Sequence, residues 1–264
     1  MRKKASTIMD MQLRLEAAQD AARQAGAMLL ERHGFHVENK AAKDFVTDMD
    51  RASEKMIIDA LHARFPEDGF YGEETGVSGE NDGMWVIDPI DGTTNFIKNI
   101  PLFSISIAYM RGGEIEVGVV FAPALGEMFT ALRGGGAFLN GKPIRVSDVN
   151  DPMQAVASMS FIHREPEVAR KVLPQLCELV LQVNDFRRTG SAAFDLCCVA
   201  CGRVEAFFEP RLHLYDIAAG VLMVREAGGT VTGWKNGPDC LVSGDVMASN
   251  GLMHDYFRDR LLLD

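Results

Sequence analysis

The sequence predicts a mixed α and β protein, with helices and antiparallel sheet before about residue 150 and an α/β half after it. Three observations carry this prediction. Apolar residues at helical spacing open the chain, alternating residues flank a Gly-Gly turn in its middle, and short apolar runs then alternate with helical patterns.

Met11, Leu15, Ala18, Ala22, Ala25 and Leu29 recur every three or four residues around Arg14, Gln19 and Arg23, so an amphipathic helix opens the chain and ends at Gly34. Asp48 or Asp50 can cap a second helix that buries Met56, Ile57, Leu61 and Phe65 and stops at Pro66. On this reading two helices precede the first sheet. Strands follow at 84–87, Ser104–Arg111 and Glu114–Ala122, the last two joined through Gly112-Gly113 as a hairpin. A further strand over 127–133 leads through three glycines and the Asn140-Gly141 turn to Ile144 and Val146.

The polar stretch 147–152 carries a proline and marks a boundary between domains at 1–148 and 149–264. Beyond it the pattern gives a strand at 155–159, a helix over 165–182, a strand to Arg187 and a helix over 191–200. A strand at 204–209, a helix over 215–227 and a strand at Thr230–Thr232 complete it. No internal repeat or long linker interrupts the chain, so the halves are expected to pack together around a site between them.

Composition narrows the function. The chain has 264 residues, 47% hydrophobic and 24% charged, which is the balance of a folded globular protein of one large or two joined domains. Its net charge of -10 is opposite to what a phosphate backbone attracts, so nucleic acid is not the expected partner. No apolar core follows Arg2, Lys3 and Lys4 as it would in a signal peptide, and no window reaches the roughly 18 apolar residues of a membrane span. The five cysteines, at 177, 197, 198, 201 and 240, fit a reducing cytoplasm. Cys198 and Cys201 form a CxxC pair, open to redox or zinc chemistry, but no second pair or histidine cluster accompanies it, which favours helix packing.

The chemistry concentrates in Trp85 to Phe96, which reads WVIDPIDGTTNF. Asp88 and Asp91, on a tight turn fixed by Pro89, can hold divalent cations, with the Ile90 carbonyl as a further hard oxygen ligand. Gly92 and Thr93 then offer N–H groups at a helix start, where a phosphate is accommodated. Upstream, Glu73 and Glu74 stand between glycines; downstream, Asp216 opens a helix in YDIAAG. Each acid alone is better read as a turn or cap residue.

Together, GEET, DPIDGTTNF and YDIAAG followed by EAGG resemble, in order and spacing, the inositol monophosphatase family of Mg²⁺-dependent, lithium-sensitive sugar phosphatases. The likeness runs from about residue 10 to 250, with Tyr215 where the family commonly has Trp. It implies a layered αβαβα sandwich of the carbohydrate-phosphatase type, two or three Mg²⁺ ions and a homodimer. Carried over, Glu73, Asp88 and the Ile90 carbonyl would bind one ion, Asp88, Asp91 and Asp216 a second, and Glu73 with waters a third. Asp50 would pair with Thr93 and, with Glu73, serve the nucleophilic water. Lys40 lies within a residue of the family's lysine on the loop over the site.

Substrate contacts implied by the resemblance are Gly190, Ser191 and Ala192 in a turn, Glu209, and Asp91 and Asp216 beside the phosphate. Glu209 either binds two vicinal hydroxyls or ends a strand facing solvent. Arg187, Arg188 and Arg211 are read either as substrate contacts or as surface ion pairs. No nucleophilic Ser, Cys or His arrangement is present, so direct water attack is expected, without a phosphoenzyme. The expected reaction is hydrolysis of inositol 1-phosphate and related polyol phosphates. Fructose-1,6-bisphosphatase and histidinol-phosphate phosphatase are the alternatives on this fold; 3′-phosphoadenosine 5′-phosphate phosphatase fits less well, because the chain is compact. A regulatory interaction module with secondary catalysis is the alternative of another class.

Overall fold

The structure is a computed structural model that describes residues 2–31, 34–41, 44–79, 82–159, 166–234 and 239–261, with the side chains of 2–8, 39–41 and 44 outside the description. The chain starts with α1 (Arg2–Glu31). An antiparallel pair, β1 (Val37–Ala41) and β2 (Asp44–Thr47), then comes before α2 (Asp48–Arg64). The pair corrects the expectation of two helices ahead of any strand; β1 reads VENKA, too polar to announce a strand. The cap of α2 is also corrected. Thr47 Oγ1 accepts from the Met49 and Asp50 N–H groups, while Asp50 Oδ2 accepts from Thr47 N. This is a capping box with Asp in the place usual for Glu or Gln.

The first large sheet uses β3 (Gly69–Gly72), β4 (Gly76–Ser78) and β5 (Gly83–Asp91). After the short helix α3 (Thr93–Ile97) come β6 (Ser104–Arg111), β7 (Glu114–Ala122), β8 (Glu127–Leu132), β9 (Gly136–Leu139) and β10 (Lys142–Pro143). Its eight strands run β10-β9-β8-β7-β6-β5-β3-β4, antiparallel except for β3 beside β5. An irregular segment leads to β11 (Val156–Met159), α4 (Pro166–Val180), β12 (Asp185–Arg187), α5 (Ala192–Ala200) and β13 (Ala206–Glu209). Then follow α6 (Leu214–Glu226), β14 (Thr230–Thr232), α7 (Cys240–Ser243), β15 (Val246–Ser249) and α8 (His254–Arg258). The expected helix start at Glu165 lies outside the described residues.

The second sheet has the order β12-β11-β13-β15-β14. It is parallel across β12, β11 and β13, and antiparallel where β15 joins β13 and β14.

Strand periodicity explains the layering. Ile105, Ile107 and Tyr109 of β6 pack with the apolar faces of α1 and α2, while Ala108 and Met110 pack on the other side with α5 and α6. The second sheet turns Phe207, Val246 and Ala248 toward α5 and α6. Its opposite face, with Ala157, Phe208 and Met247, packs against α4 and α8. The order is therefore helix, sheet, helix, sheet, helix: the αβαβα sandwich. Gly118 lets α6 lie close on β7, since a Cβ there would meet Ala219 O at 2.9 Å.

The hairpin formed by β6 and β7 is interior, covered by α1 on one face and α6 on the other. Cys197 and Cys198 lie in the core, and burial pushes the Cys198 thiol up to about 12, so the packing reading of the CxxC pair fits. No described helix is long and apolar enough to cross a membrane.

Candidate active site

The turn expected at Asp88-Pro89-Ile90-Asp91 is a strand with a bulge. Asp88 pairs with Ser106 and Asp91 with Ser104, so three steps on β5 face two on β6. In a regular strand residues three apart point to opposite faces; the extra residue returns Asp88 and Asp91 to the same side. Pro89, with no N–H to give to a ladder, suits the bulge. On that side Ser104 Oγ lies 3.0 Å from Ser191 Oγ and Ser106 Oγ donates to Tyr215 O, so both aspartates face the N-terminal ends of α5 and α6.

Asp91 acts as a cap for α5 from another sheet. Its Oδ2 accepts from Ser191 Oγ at 2.8 Å and from Ala193 N at 2.7 Å, whereas the Ser191 side chain makes no cap of its own. Burial lifts Asp91 to about 6, against the downward pull of its hydrogen bonds from Ser191, Ala193, Ala192 and Ser104. Ser191 and Ala192, expected at the substrate, are thus engaged with Asp91. Gly190 has a φ of +86°, and a Cβ on Gly92 would meet its carbonyl oxygen at 3.1 Å, so two glycine backbones bring these turns together.

Asp216 sits in the first turn of α6, where its Oδ2 accepts from His213 N at 2.6 Å. Part of its surface is open, yet loss of water around its carboxyl, with Asp91, Glu73 and Glu209 nearby, raises it well above the ordinary carboxylate range. Asp88 is raised in the same way, by burial first and then by Glu73, Asp91, Asp216 and Asp50. Tyr215 stacks on His213 at 5.0 Å and meets Tyr71 edge-on at 5.6 Å. Burial, then Asp216, Glu73 and Asp88, raises its phenol.

Asp50 and Thr93 meet across the site. Thr93 Oγ1 lies 3.2 Å from Asp50 Oδ1 and 3.1 Å from Ile90 O, one proton shared between two acceptors. Asp50 is buried, and desolvation raises it despite the hydrogen bonds from Thr47. Glu73 follows β3, its N–H bonded to Ile87 O at 3.1 Å. Glu209 ends β13, half-buried and close enough to raise Asp216. Arg187 is exposed and paired with Asp185, as the surface reading expects, and Arg188 draws Asp195 downward. Arg211 is exposed with its backbone N–H on Asp245. Lys40 lies in β1, but its side chain is outside the described residues.

Residues the sequence reading missed frame this site. Ser53 and Glu54 lie one turn beyond Asp50 on the same buried face of α2. Asn95 joins Leu102 O to Thr189 O, and Asp195 accepts from Ser158 and Thr189. The available signal was polar residues occupying the core-facing positions of otherwise apolar helices.

Carboxylates and a backbone carbonyl are hard oxygen donors, the kind that suits Mg²⁺. Among the described residues, no group of three or more His, Cys, Asp or Glu side chains is arranged to hold a metal ion as it stands. One oxygen each of Asp88, Asp91 and Asp216 is turned to a protein donor: Ile90 N, the Ser191 and Ala193 pair, and His213 N. The donor set thus fits the ion in chemistry, while its side chains are held by protein partners.

Comparison with known proteins gives the same direction. Nus factor SuhB of Salmonella typhimurium is 42% identical over 242 residues, covering 89% of this chain and 91% of the relative. The structure of extragenic suppressor protein SuhB from Bartonella henselae superposes with a TM-score of 0.89 at 37% identity, covering 93% of this chain and 96% of the other. An inositol monophosphatase from Anabaena (Nostoc) gives a TM-score of 0.86 at 33% identity, over 96% and 98% of the two chains. The inositol monophosphatase family model matches residues 10–261, and the chain belongs to that family.

Proposed function

We propose that this protein is a Mg²⁺-dependent phosphomonoesterase that hydrolyses inositol 1-phosphate and related sugar or polyol phosphates by direct attack of water. One observation carries the reading: Asp88 is raised by burial and by four other acids, Glu73, Asp91, Asp216 and Asp50, from separate segments. Such a set of neighbouring like charges, buried at Asp50, Asp88 and Asp91 and half-buried at Glu73 and Asp216, is relieved either by protonation or by cations.

Glu73, Asp88 and the Ile90 carbonyl would hold one ion, Asp88, Asp91 and Asp216 a second, and Glu73 with waters a third. Bound Mg²⁺ supplies charge neutralisation of the phosphoryl group, a more acidic water and stabilisation of the leaving alkoxide. Thr93, whose proton lies toward Asp50 and Ile90 O, keeps its oxygen as an acceptor for a proton of the attacking water. Asp50, raised by burial, is suited to take that proton onward. The Gly92 and Thr93 N–H groups meet the phosphate. Glu209 receives two vicinal hydroxyls, and the Gly190-Ser191-Ala192 turn, with Asp91 and Asp216, bounds the substrate.

In this reading residues 1–148 and 149–264 are two domains, the second supplying Asp216; the protein is cytoplasmic, homodimeric and inhibited by lithium. The test is release of inorganic phosphate from a panel of phosphate esters with millimolar Mg²⁺. Inositol 1-phosphate should react fastest, with inhibition by lithium and loss of at least about 100-fold in Asp91→Asn. Faster release from fructose 1,6-bisphosphate or histidinol phosphate would reassign the substrate. No release from any ester would reject the enzyme.

A second reading has its own support, since the Salmonella relative is named a Nus factor. Here the fold serves as a regulatory partner in transcription with catalysis secondary. It predicts that the Asp91→Asn protein retains that regulatory role after hydrolysis is lost.

A further inference from the structure

The buried stripe Asp50, Ser53, Glu54, Ile57 and Leu61 follows one face of α2, polar for its first turns and apolar after them. Each polar member reaches a different segment of the candidate site. Asp50 accepts from Thr93, and Ser53 Oγ donates to Pro89 O at 3.1 Å within the bulge. Glu54 is fully buried: its Oε2 accepts from Glu74 N at 2.9 Å and its Oε1 from Thr75 N at 2.8 Å. One carboxylate thus spans two consecutive N–H groups immediately after Glu73.

The residue before Glu73 is shaped to the same contact. A Cβ on Gly72 would lie 2.4 Å from Glu54 Oε2, so a side chain there would displace the carboxylate. With Glu73 N bonded to Ile87 O, the backbone around Glu73 is held by β5 on one side and by α2 on the other. A buried carboxylate with no cationic partner in these contacts is costly unless its hydrogen bonds are made. Here they are made to the backbone that carries Glu73.

We infer that Glu54 is a positioning residue, which fixes the Glu73 loop so that the Glu73 carboxylate is presented with Asp88 for cation binding. The inference rests on the proposed Mg²⁺-dependent activity for its consequence, but its structural part does not. Glu54→Gln preserves shape while setting an amide N–H₂ against one backbone N–H. Amide exchange at Glu74 and Thr75 should then accelerate at least about tenfold over wild type, from loss of the paired acceptor. Mg²⁺ affinity measured by calorimetry, and the Mg²⁺ midpoint of phosphate release, should weaken about 10- to 100-fold, with kcat at saturating Mg²⁺ less affected.

Gly72→Ala, acting on the same carboxylate from the other side, should reproduce the effect and serves if Glu54→Gln does not fold. Glu205→Gln removes a buried carboxylate that holds Ser147 and Val156, and should lower Tm without moving the Mg²⁺ midpoint. Unchanged exchange at residues 74 and 75 in Glu54→Gln, or a midpoint shift no larger than that of Glu205→Gln, would overturn the inference. If wild type neither binds Mg²⁺ nor releases phosphate, the proposed activity fails, and the exchange comparison alone decides the role of Glu54.

Discussion

Asp195 lies behind the site in α5, its Oδ1 accepting from Ser158 Oγ at 2.6 Å and its Oδ2 from Thr189 Oγ1 at 2.8 Å. Burial outweighs these hydrogen bonds and lifts the carboxyl from 3.8 to about 7. Below pH 4 the folded and unfolded chains both hold the proton. Between about 4 and 7 the unfolded chain releases it and the folded chain keeps it, so stability from this group falls as pH rises and levels off above 7. Urea denaturation of wild type and Asp195→Asn across pH 4 to 8 should show the wild type losing, relative to the variant, on the order of 4 kcal/mol as an upper bound. Parallel pH curves for the two proteins would mean that Asp195 is ionised in the fold. Single residues differ in legibility: Asp50, Glu73, Asp88, Asp91 and Asp216 stand out in motifs, whereas Ser53, Glu54 and Asp195 are polar residues on buried faces, visible only once the faces are known.

At the level of elements, long periodic segments were readable, and so were the short strands β11, β13 and β14 between helical patterns, but β15 was not. The helix α1 and the hairpin β6–β7 declare their periods over many residues, while β15 is the four residues VMAS, buried on both faces and without alternation. The bulge in β5 was hidden because Asp-Pro-x-Asp has the composition of a turn, and only the Ser104 and Ser106 register shows it to be strand. The packing of α6 on β7 gives a test of how elements place the site. Gly118→Ala would set a methyl 2.9 Å from Ala219 O and 3.3 Å from its Cα, so α6 must shift. The expected loss is about 1–3 kcal/mol by denaturation. Because Asp216 begins that helix, the Mg²⁺ midpoint should rise as well; a stability loss with an unmoved midpoint would show that the shift dies out before the first turn of α6.

For the whole molecule, folding draws Asp88, Asp91 and Asp216 together from the bulge of one sheet and the helix layer between both sheets, in a chain already at a net charge of -10. All three carboxyls are raised, Asp91 to about 6 and Asp88 and Asp216 well above the ordinary carboxylate value. The sign follows: as pH rises from about 4 through 6 and beyond, the unfolded chain releases these protons first, so the metal-free fold loses stability. A cation that binds only the folded, deprotonated set reverses that loss. At a free Mg²⁺ concentration 100 times its dissociation constant the gain is about 2.7 kcal/mol. At roughly 2–4 °C per kcal/mol for a chain of this size, Tm should rise by about 5–10 °C. The rise should be larger at pH 8 than at pH 5, where protons compete with the ion. Asp91→Asn removes one of the repelling charges, so without metal at pH 8 it should melt no lower than wild type while gaining less from Mg²⁺. Scanning calorimetry of both proteins at both pH values, with Mg²⁺ and with a chelator, separates the two terms. A wild-type Tm insensitive to Mg²⁺ at pH 8 would mean that the acids are settled by protonation alone, and the cation reading of the site would fall with it.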